Sequence, residues 1–191
     1  MNKILQNENT AVDGSNFYRK IYNASMSTIE VIGENVVRKT YKRNQFPEPE
    51  RWLKSYNQLR SWDHRYIKVH KVGNDYIEMD YIDDGVHFID VLENSTDHTV
   101  DEKMKIITDF IDILSLSYGY ISQSNEVFLH NDLSLTNVLV DSNNKLIVID
   151  PDSCGYEARQ DKGLSNLIYA YHTTMHKYYR LLSYKKFANE N

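Results

Sequence analysis

One stretch, Phe128 to Ser153, constrains the fold more than any other part of the chain: F-L-H-N-D-L-S-L-T-N-V-L-V-D-S-N-N-K-L-I-V-I-D-P-D-S. Polar residues stand in it only where the backbone must turn. Val138, Leu139 and Val140 form a short, mostly β-branched run. Asp141, Ser142, Asn143 and Asn144 follow, and such side chains bond their own backbone in turns. Leu146 to Ile149 is a second apolar run, too short for a helix. The stretch therefore reads as strand, loop, strand, turn, strand. Pairing the two runs as a hairpin returns Asp150 toward Asn137, with Asp132 ahead of the first strand. Two carboxylates and an amide then converge at one end of a small ribbon.

Such an oxygen cluster repels itself unless a hard cation balances it. Mg²⁺ prefers oxygen ligands and is often shared between one or two protein groups and nucleotide phosphates. Asp150 and Asn137 are the candidate metal ligands. Asp132 is then free to accept a proton or orient a hydroxyl. Taken one residue at a time, a hairpin with solvated polar ends explains the same side chains.

The spacing adds more. His130-x-Asp132-x-x-x-x-Asn137 followed by Asp150 resembles the catalytic loop and metal-binding Asp of the protein-kinase-like superfamily. The resemblance implies an α+β, two-lobed protein-kinase-like fold. Residues 1–82 would form an antiparallel β N-lobe with one helix, covering the nucleotide. Residues 83–191 would form a reduced, mainly helical C-lobe carrying the catalytic loop and metal site. In this family the His of the motif usually braces the loop, and His130 is given that structural role.

Composition sets the outer bounds. Hydrophobic residues make up 41% and charged residues 26% of the 191, so the chain is globular rather than disordered. Net charge is −5 and no basic stripe stands out, which argues against nucleic acid as the main partner. The single cysteine, Cys154, leaves no internal disulfide and fits a reducing cytoplasm, as a passive thiol. Lys3 is followed by no long apolar core, so no signal peptide is expected, and no apolar run approaches a membrane span.

Residues 1–15 read as a loose lead-in. Strands are expected at Phe17–Tyr22, Thr28–Ile32 and Val36–Tyr41, with a small-residue turn at 23–27. That turn departs from the Gly-rich phosphate loop of many kinases, with Ala24, Ser25 and Ser27 in its place. The resemblance implies that Lys39, on the third of these strands, contacts the phosphates of ATP. Alternation puts Lys39 on one face with Val37 and turns Arg38 to the other. Pro47-Glu48-Pro49-Glu50 opens a helix with Trp52, Leu53, Tyr56 and Leu59 at helical spacing. Glu50 is the candidate ion-pair partner of Lys39, with Glu48 behind it. Compensation of the helix dipole explains Glu50 equally well.

Tyr66–Val72 and Asp75–Ile82 read as two further strands turned at Gly73-Asn74. Met79-Asp80-Tyr81-Ile82 resembles the hinge between kinase lobes, so backbone groups from Asp80 to Ile82 would bond an adenine edge. Phe88–Leu92 is a short helix. Thr99 and Glu102 form a capping box ahead of a long helix whose inward face is expected to be Met104, Ile107, Ile111, Leu114, Tyr118 and Ile121. Asp152 either reaches the metal or is a turn residue after Pro151. Asp161 opens a last helix, with Leu164, Leu167, Ile168, Tyr171, Met175, Tyr178 and Leu182 expected inward. His172 and His176 have metal spacing, but with no third ligand nearby they read as a packing or solvated pair.

The departures narrow the class. Asn131 stands where regulated protein kinases use Arg, Ser134 stands where serine/threonine kinases use Lys, and no A-P-E follows Asp150. H-x-D-L-S-x-x-N is similar to RIO-type kinases. The I-D-P run and Asp-led helix look more like aminoglycoside phosphotransferase, choline-kinase and capsule-associated kinase-like proteins. The implied activity is ATP- and Mg²⁺-dependent phosphoryl transfer to a hydroxyl of a small molecule, such as a sugar. An atypical protein serine/threonine kinase and a kinase-shaped nucleotide-binding module without transfer are the alternatives.

Overall fold

The computed structural model describes residues 5–7, 20–23, 27–123, 128–156 and 160–189; for 5–7, 20–23, 119–123, 160–164 and 187–189 it describes the backbone alone. The chain divides into two compact units. One comprises Met1–Asn57 and Lys68–Asp83, the other Gln58–Ile67 and Asp84–Asn191.

The first unit is built on a six-stranded antiparallel sheet. Its strands are β1 (Leu5–Asn7), β2 (Lys20–Asn23), β3 (Ser27–Gly33), β4 (Val36–Tyr41), β5 (Val69–Val72) and β6 (Tyr76–Asp80), in the order β1-β2-β3-β4-β6-β5. Short turns join β3 to β4 and β5 to β6, so antiparallel pairing is the available solution for those hairpins, while α1 (Pro49–Trp62) separates β4 from β5 and β4 pairs with β6. The expected lead-in is corrected at Leu5–Asn7, which pairs with β2 in the register Leu5↔Tyr22. Edge pairing needs only backbone donors and acceptors, so alternating hydrophobicity does not announce it. The turn expected at 23–27 lies largely outside the described residues.

On β4, Val37 and Lys39 are both buried while Arg38 faces the other way. Arg38 donates to Glu78 on the neighbouring strand at 2.6 Å and lies 5.0 Å from the Tyr76 ring centre. Gly73 closes the β5–β6 turn, where a Cβ would overlap the Tyr76 ring. Helix α1 (Pro49–Trp62) starts two residues later than the Pro47 opening expected. Proline suits the first turn because its missing N–H would be unpaired there anyway. A ladder of rings joins Tyr41, Phe46, Trp52 and Tyr56 with centroid separations of 5.7, 5.0 and 5.1 Å.

The second unit is mainly helical. It holds β7 (Val86–His87), α2 (Phe88–Glu93), α3 (Val100–Gln123), β8 (Phe128–His130), β9 (Val138–Val140), β10 (Leu146–Val148), β11 (Cys154–Tyr156) and α4 (Gln160–Asn189). The α3 capping box forms as the sequence requires. The Thr99 N–H and hydroxyl both donate to Glu102 at 2.8 Å, and the Glu102 N–H returns to Thr99 Oγ1 at 3.3 Å.

The buried face of α3 runs through Ile106, Ile107, Phe110, Ile113, Leu114 and Ser117. The expected face is thus corrected: Tyr118 is exposed, and Ile111 is only half-buried. The stripe that packs is the one centred on Phe110, whose ring meets Phe88 at 5.3 Å. On α4 the buried positions are Leu167, Ala170 and Thr174, while Ile168, Tyr171 and Leu182 are exposed. Apolar residues surround α4, so its pattern does not choose a phase. Packing against α3 favours a narrow side with Ala170, where the backbones can approach. The Leu164 and Ile121 side chains lie outside the described residues.

Candidate active site

The site is assembled from two short antiparallel ladders in the second unit. β8 pairs with β11 in the register Cys154↔His130, and β9 pairs with β10 in the register Val138↔Val148. The hairpin turn is stabilised from within, as its composition demands. Asp141 Oδ1 accepts from the N–H groups of Asn143 and Lys145 at 2.9 and 2.8 Å, and Asn144 takes the left-handed φ of 60°.

Between β8 and β9 the loop carries Asp132 outward and then closes in a 3₁₀ turn, Leu135–Asn137. Leu133 and Leu135 are buried on either side of Ser134 and pin the loop to the core. Asn137 is buried, and its amide nitrogen donates to Asp132 twice: to the backbone carbonyl at 2.7 Å and to Oδ2 at 2.9 Å. That commits the nitrogen side of the amide and turns its oxygen the other way. Asp132 itself remains exposed.

The peptide before Asp150 is held at both ends. Ile149 N–H donates to the Asn137 carbonyl at 2.9 Å. Ile149 C=O accepts from His130 Nε2 at 2.9 Å. His130 is buried, and its Nδ1 accepts the Asp132 N–H at 3.3 Å. One ring nitrogen accepts and the other donates, which assigns the neutral Nε2–H tautomer. Burial pushes the His130 pKa down, against the weaker upward pull of the Ile149 carbonyl bond and of Asp150, Asp132 and Asp152. Asp150 follows in the left-handed region at φ 62°, ψ 52° and caps the 3₁₀ turn Pro151–Ser153. A non-glycine residue there costs about 1 kcal/mol, and aspartate tolerates it better than most.

The segments of Asp132 and Asn137 are therefore tied, through His130 and the Asn137 carbonyl, to Ile149, the residue before Asp150. Asp152 sits in the turn beyond it, half-buried. Cys154 is buried and its thiol is pushed well up, mainly by desolvation, which keeps it protonated. Among the described residues no group of three His, Cys, Asp or Glu side chains could hold a metal ion by itself. The donors present are an amide oxygen and carboxylates, a hard oxygen set suited to Mg²⁺ that takes its other ligands from phosphate and water.

Two contacts to this loop were not foreseen. His87, at the end of β7, donates through Nδ1 to the Thr136 carbonyl at 2.9 Å. Asn166 on α4 donates through Nδ2 to the Asn131 carbonyl. Neither carries a local sequence signal, because the partners are 49 and 35 residues apart. The expected brace from Asp161 falls on a side chain outside the described residues.

In the first unit, Lys39 is 7% exposed, and its Nζ lies 5.5 Å from the Tyr41 ring centre. Glu50 is exposed in the first turn of α1, where its charge suits the dipole, and Glu48 pairs with Arg51 at 3.1 Å. Asp80 spends its N–H on the Lys68 carbonyl at 3.0 Å and its side chain on His70 at 2.7 Å. The Tyr81 N–H donates to the Asn35 carbonyl at 2.9 Å. Ile82 lies beyond the end of β6, half-buried.

No protein-family model matches this chain, and no curated protein matches it. Among solved structures it is similar to choline kinase LicA from Streptococcus pneumoniae, at 12% identity and a TM-score of 0.44, over 84% of this chain and 70% of that one. At that TM-score the likeness is too loose to carry residues or chemistry across. No helix among the described residues is long and apolar enough to cross a membrane.

Proposed function

We propose that this protein is an ATP- and Mg²⁺-dependent phosphotransferase that acts on a hydroxyl of a small molecule, a sugar or related metabolite. The observation that carries the reading is the double bond of Asn137 to Asp132 beside the clamped Ile149 peptide. An exposed carboxylate held in one orientation is the equipment of a group that receives or orients a hydroxyl proton. Phosphoryl transfer asks little covalent chemistry of a protein and depends on positioning and charge neutralisation.

In this reading Asp132 accepts or orients the acceptor's proton. Asn137 and Asp150 are the residues that would hold Mg²⁺, which when bound neutralises phosphate charge. Lys39 takes the phosphate-contacting role, since burial on a strand face is a setting in which a phosphate stabilises the ammonium. Backbone groups from Asp80 to Ile82 are assigned to the adenine edge; the Asp80 and Tyr81 N–H groups are already spent, which leaves the role to the remaining groups of that segment. The exposure of Glu50 favours its dipole role over pairing with Lys39.

The test uses labelled ATP with a panel of hydroxylated metabolites, with product mass recorded. Transfer of a phosphate, dependent on Mg²⁺ and reduced about a hundredfold or more in Asp132→Ala, supports the reading. Stabilisation by ATP and Mg²⁺ without transfer to any acceptor supports a nucleotide-binding module instead. Addition of a nucleotide rather than a phosphate overturns the reaction class.

A further inference from the structure

Far along α4 from the residues touching the loop, a cavity of about 550 Å³ opens between the end of α2, the start of α3 and the later turns of α4. Its apolar wall comes from Leu92, Val100 and Leu181. Its polar lining is cationic. Among the described residues that line it, Lys103, Lys177 and Arg180 face one carboxylate, Glu93, in a chain whose net charge is −5. Tyr184 completes the rim.

The three cations are not equally engaged. Lys103 Nζ donates to the Ser95 carbonyl just beyond α2 at 2.8 Å and to the Leu92 carbonyl in the last turn of α2 at 3.5 Å. No carboxylate neutralises it among the described residues. Lys177 pairs with Glu93, whose pKa that contact holds low. Among the described residues Arg180 donates to the Tyr184 hydroxyl alone, through Nε and Nη2, both at the long distance of 3.4 Å, with its Cζ 5.8 Å from the Tyr184 ring centre. Most of its planar fork is therefore uncommitted. A guanidinium fork matches the geometry of a phosphate or carboxylate and binds it through paired bonds. The volume falls in the range of small-molecule sites, which combine apolar walls with a few placed polar groups.

We infer that this cavity is a binding site for a small molecule bearing an oxyanion on an apolar body, held by Arg180 with Lys177 and Lys103 in support. The site is independent of the proposed transfer reaction. Glu93 tunes it: the carboxylate engages Lys177 and repels the ligand.

The experiment is a titration of the full-length protein, its Leu and Val methyl groups isotopically labelled. The probes are phenyl phosphate and benzoate, with phenol as the neutral control. Shifts confined to Leu92, Val100 and Leu181 place the probe in this cavity rather than at a nucleotide site. Saturable shifts with either anion and none with phenol support the inference, and the stronger anion identifies the head group. Arg180→Gln should weaken binding about tenfold or more, as expected for a charged hydrogen bond removed. Glu93→Gln should tighten it by about threefold through removal of a like charge, a gain that no folding defect produces. Absence of shifts at these methyls, equal response to phenol, or unchanged affinity in both variants overturns the inference.

Discussion

Asn137 grips Asp132 at two points, the carbonyl oxygen at 2.7 Å and the carboxylate Oδ2 at 2.9 Å. A single buried amide thereby sets both the backbone and the side chain of the exposed acid. The same residue accepts the N–H of Ile149 and so fixes where Asp150 begins. The proposed base and the two proposed metal ligands form one mechanical unit, and groups acting as a unit are not additive when removed.

Asp132→Ala should therefore reduce phosphoryl transfer by about 10²–10⁴-fold, the usual contribution of a positioned acid–base group. Asn137→Ala should cost a comparable amount. The double variant should be little worse than the poorer single one. Turnover of labelled ATP by all three measures this. Effects that multiply would mean that Asp132 and Asn137 act separately.

His130 should make the fold sensitive to acid. Burial lowers its folded-state pKa below the ordinary value of 6.5. The unfolded chain then binds the proton first as pH falls, so stability declines below about pH 6.5 until the folded value is reached. Melting temperature followed from pH 7.5 to 5, with imidazole resonances recorded by NMR, checks the sign. His130→Ala should remove this dependence. It would also remove the part-buried bonds to the Ile149 carbonyl and from the Asp132 N–H, at about 1 kcal/mol for each.

Tyr66 supplies the opposite limb. Its hydroxyl is buried against Ser117 Oγ at 3.1 Å, and Ser117 donates onward to the Ile113 carbonyl at 2.8 Å. Tyr66 therefore donates to Ser117 and must stay protonated. Desolvation raises its pKa well above the ordinary 10.0. The folded state keeps the proton that the unfolded chain releases, so stability falls as pH rises past about 10. Tyr66→Phe should cost about 1 kcal/mol at neutral pH, because Ser117 keeps its own acceptor. It should also flatten the alkaline decline, as read by denaturant unfolding at pH 8, 9.5 and 10.5.

Asn166 ties α4 to the carbonyl of Asn131, next to Asp132. Asn166→Ala should lower turnover several-fold while moving the melting temperature by only a few degrees, since one hydrogen bond is worth about 1 kcal/mol. Amide exchange at Asn131 and Asp132 should quicken more than exchange along α4. Unchanged exchange in the loop would remove Asn166 from its support.

Much of this was open to reading in the chain itself, because the causes are local. The Thr99–Glu102 box, the Asp141 turn and the alternation of Val37, Arg38 and Lys39 each depend on residues a few positions apart. The hairpin that returns Asp150 to Asn137 follows from two apolar runs and a turn between them. Packing decided the rest. α3 buries Phe110 rather than Tyr118, and α4 buries Ala170 rather than Tyr171, because helices with apolar residues on several sides take the face that fits a neighbour. His87 and Asn166 reach the loop from distant segments, and the cationic cavity draws on three helices. Local spacing sets backbone conformation. Which side chains meet across tens of residues is settled only when the elements pack.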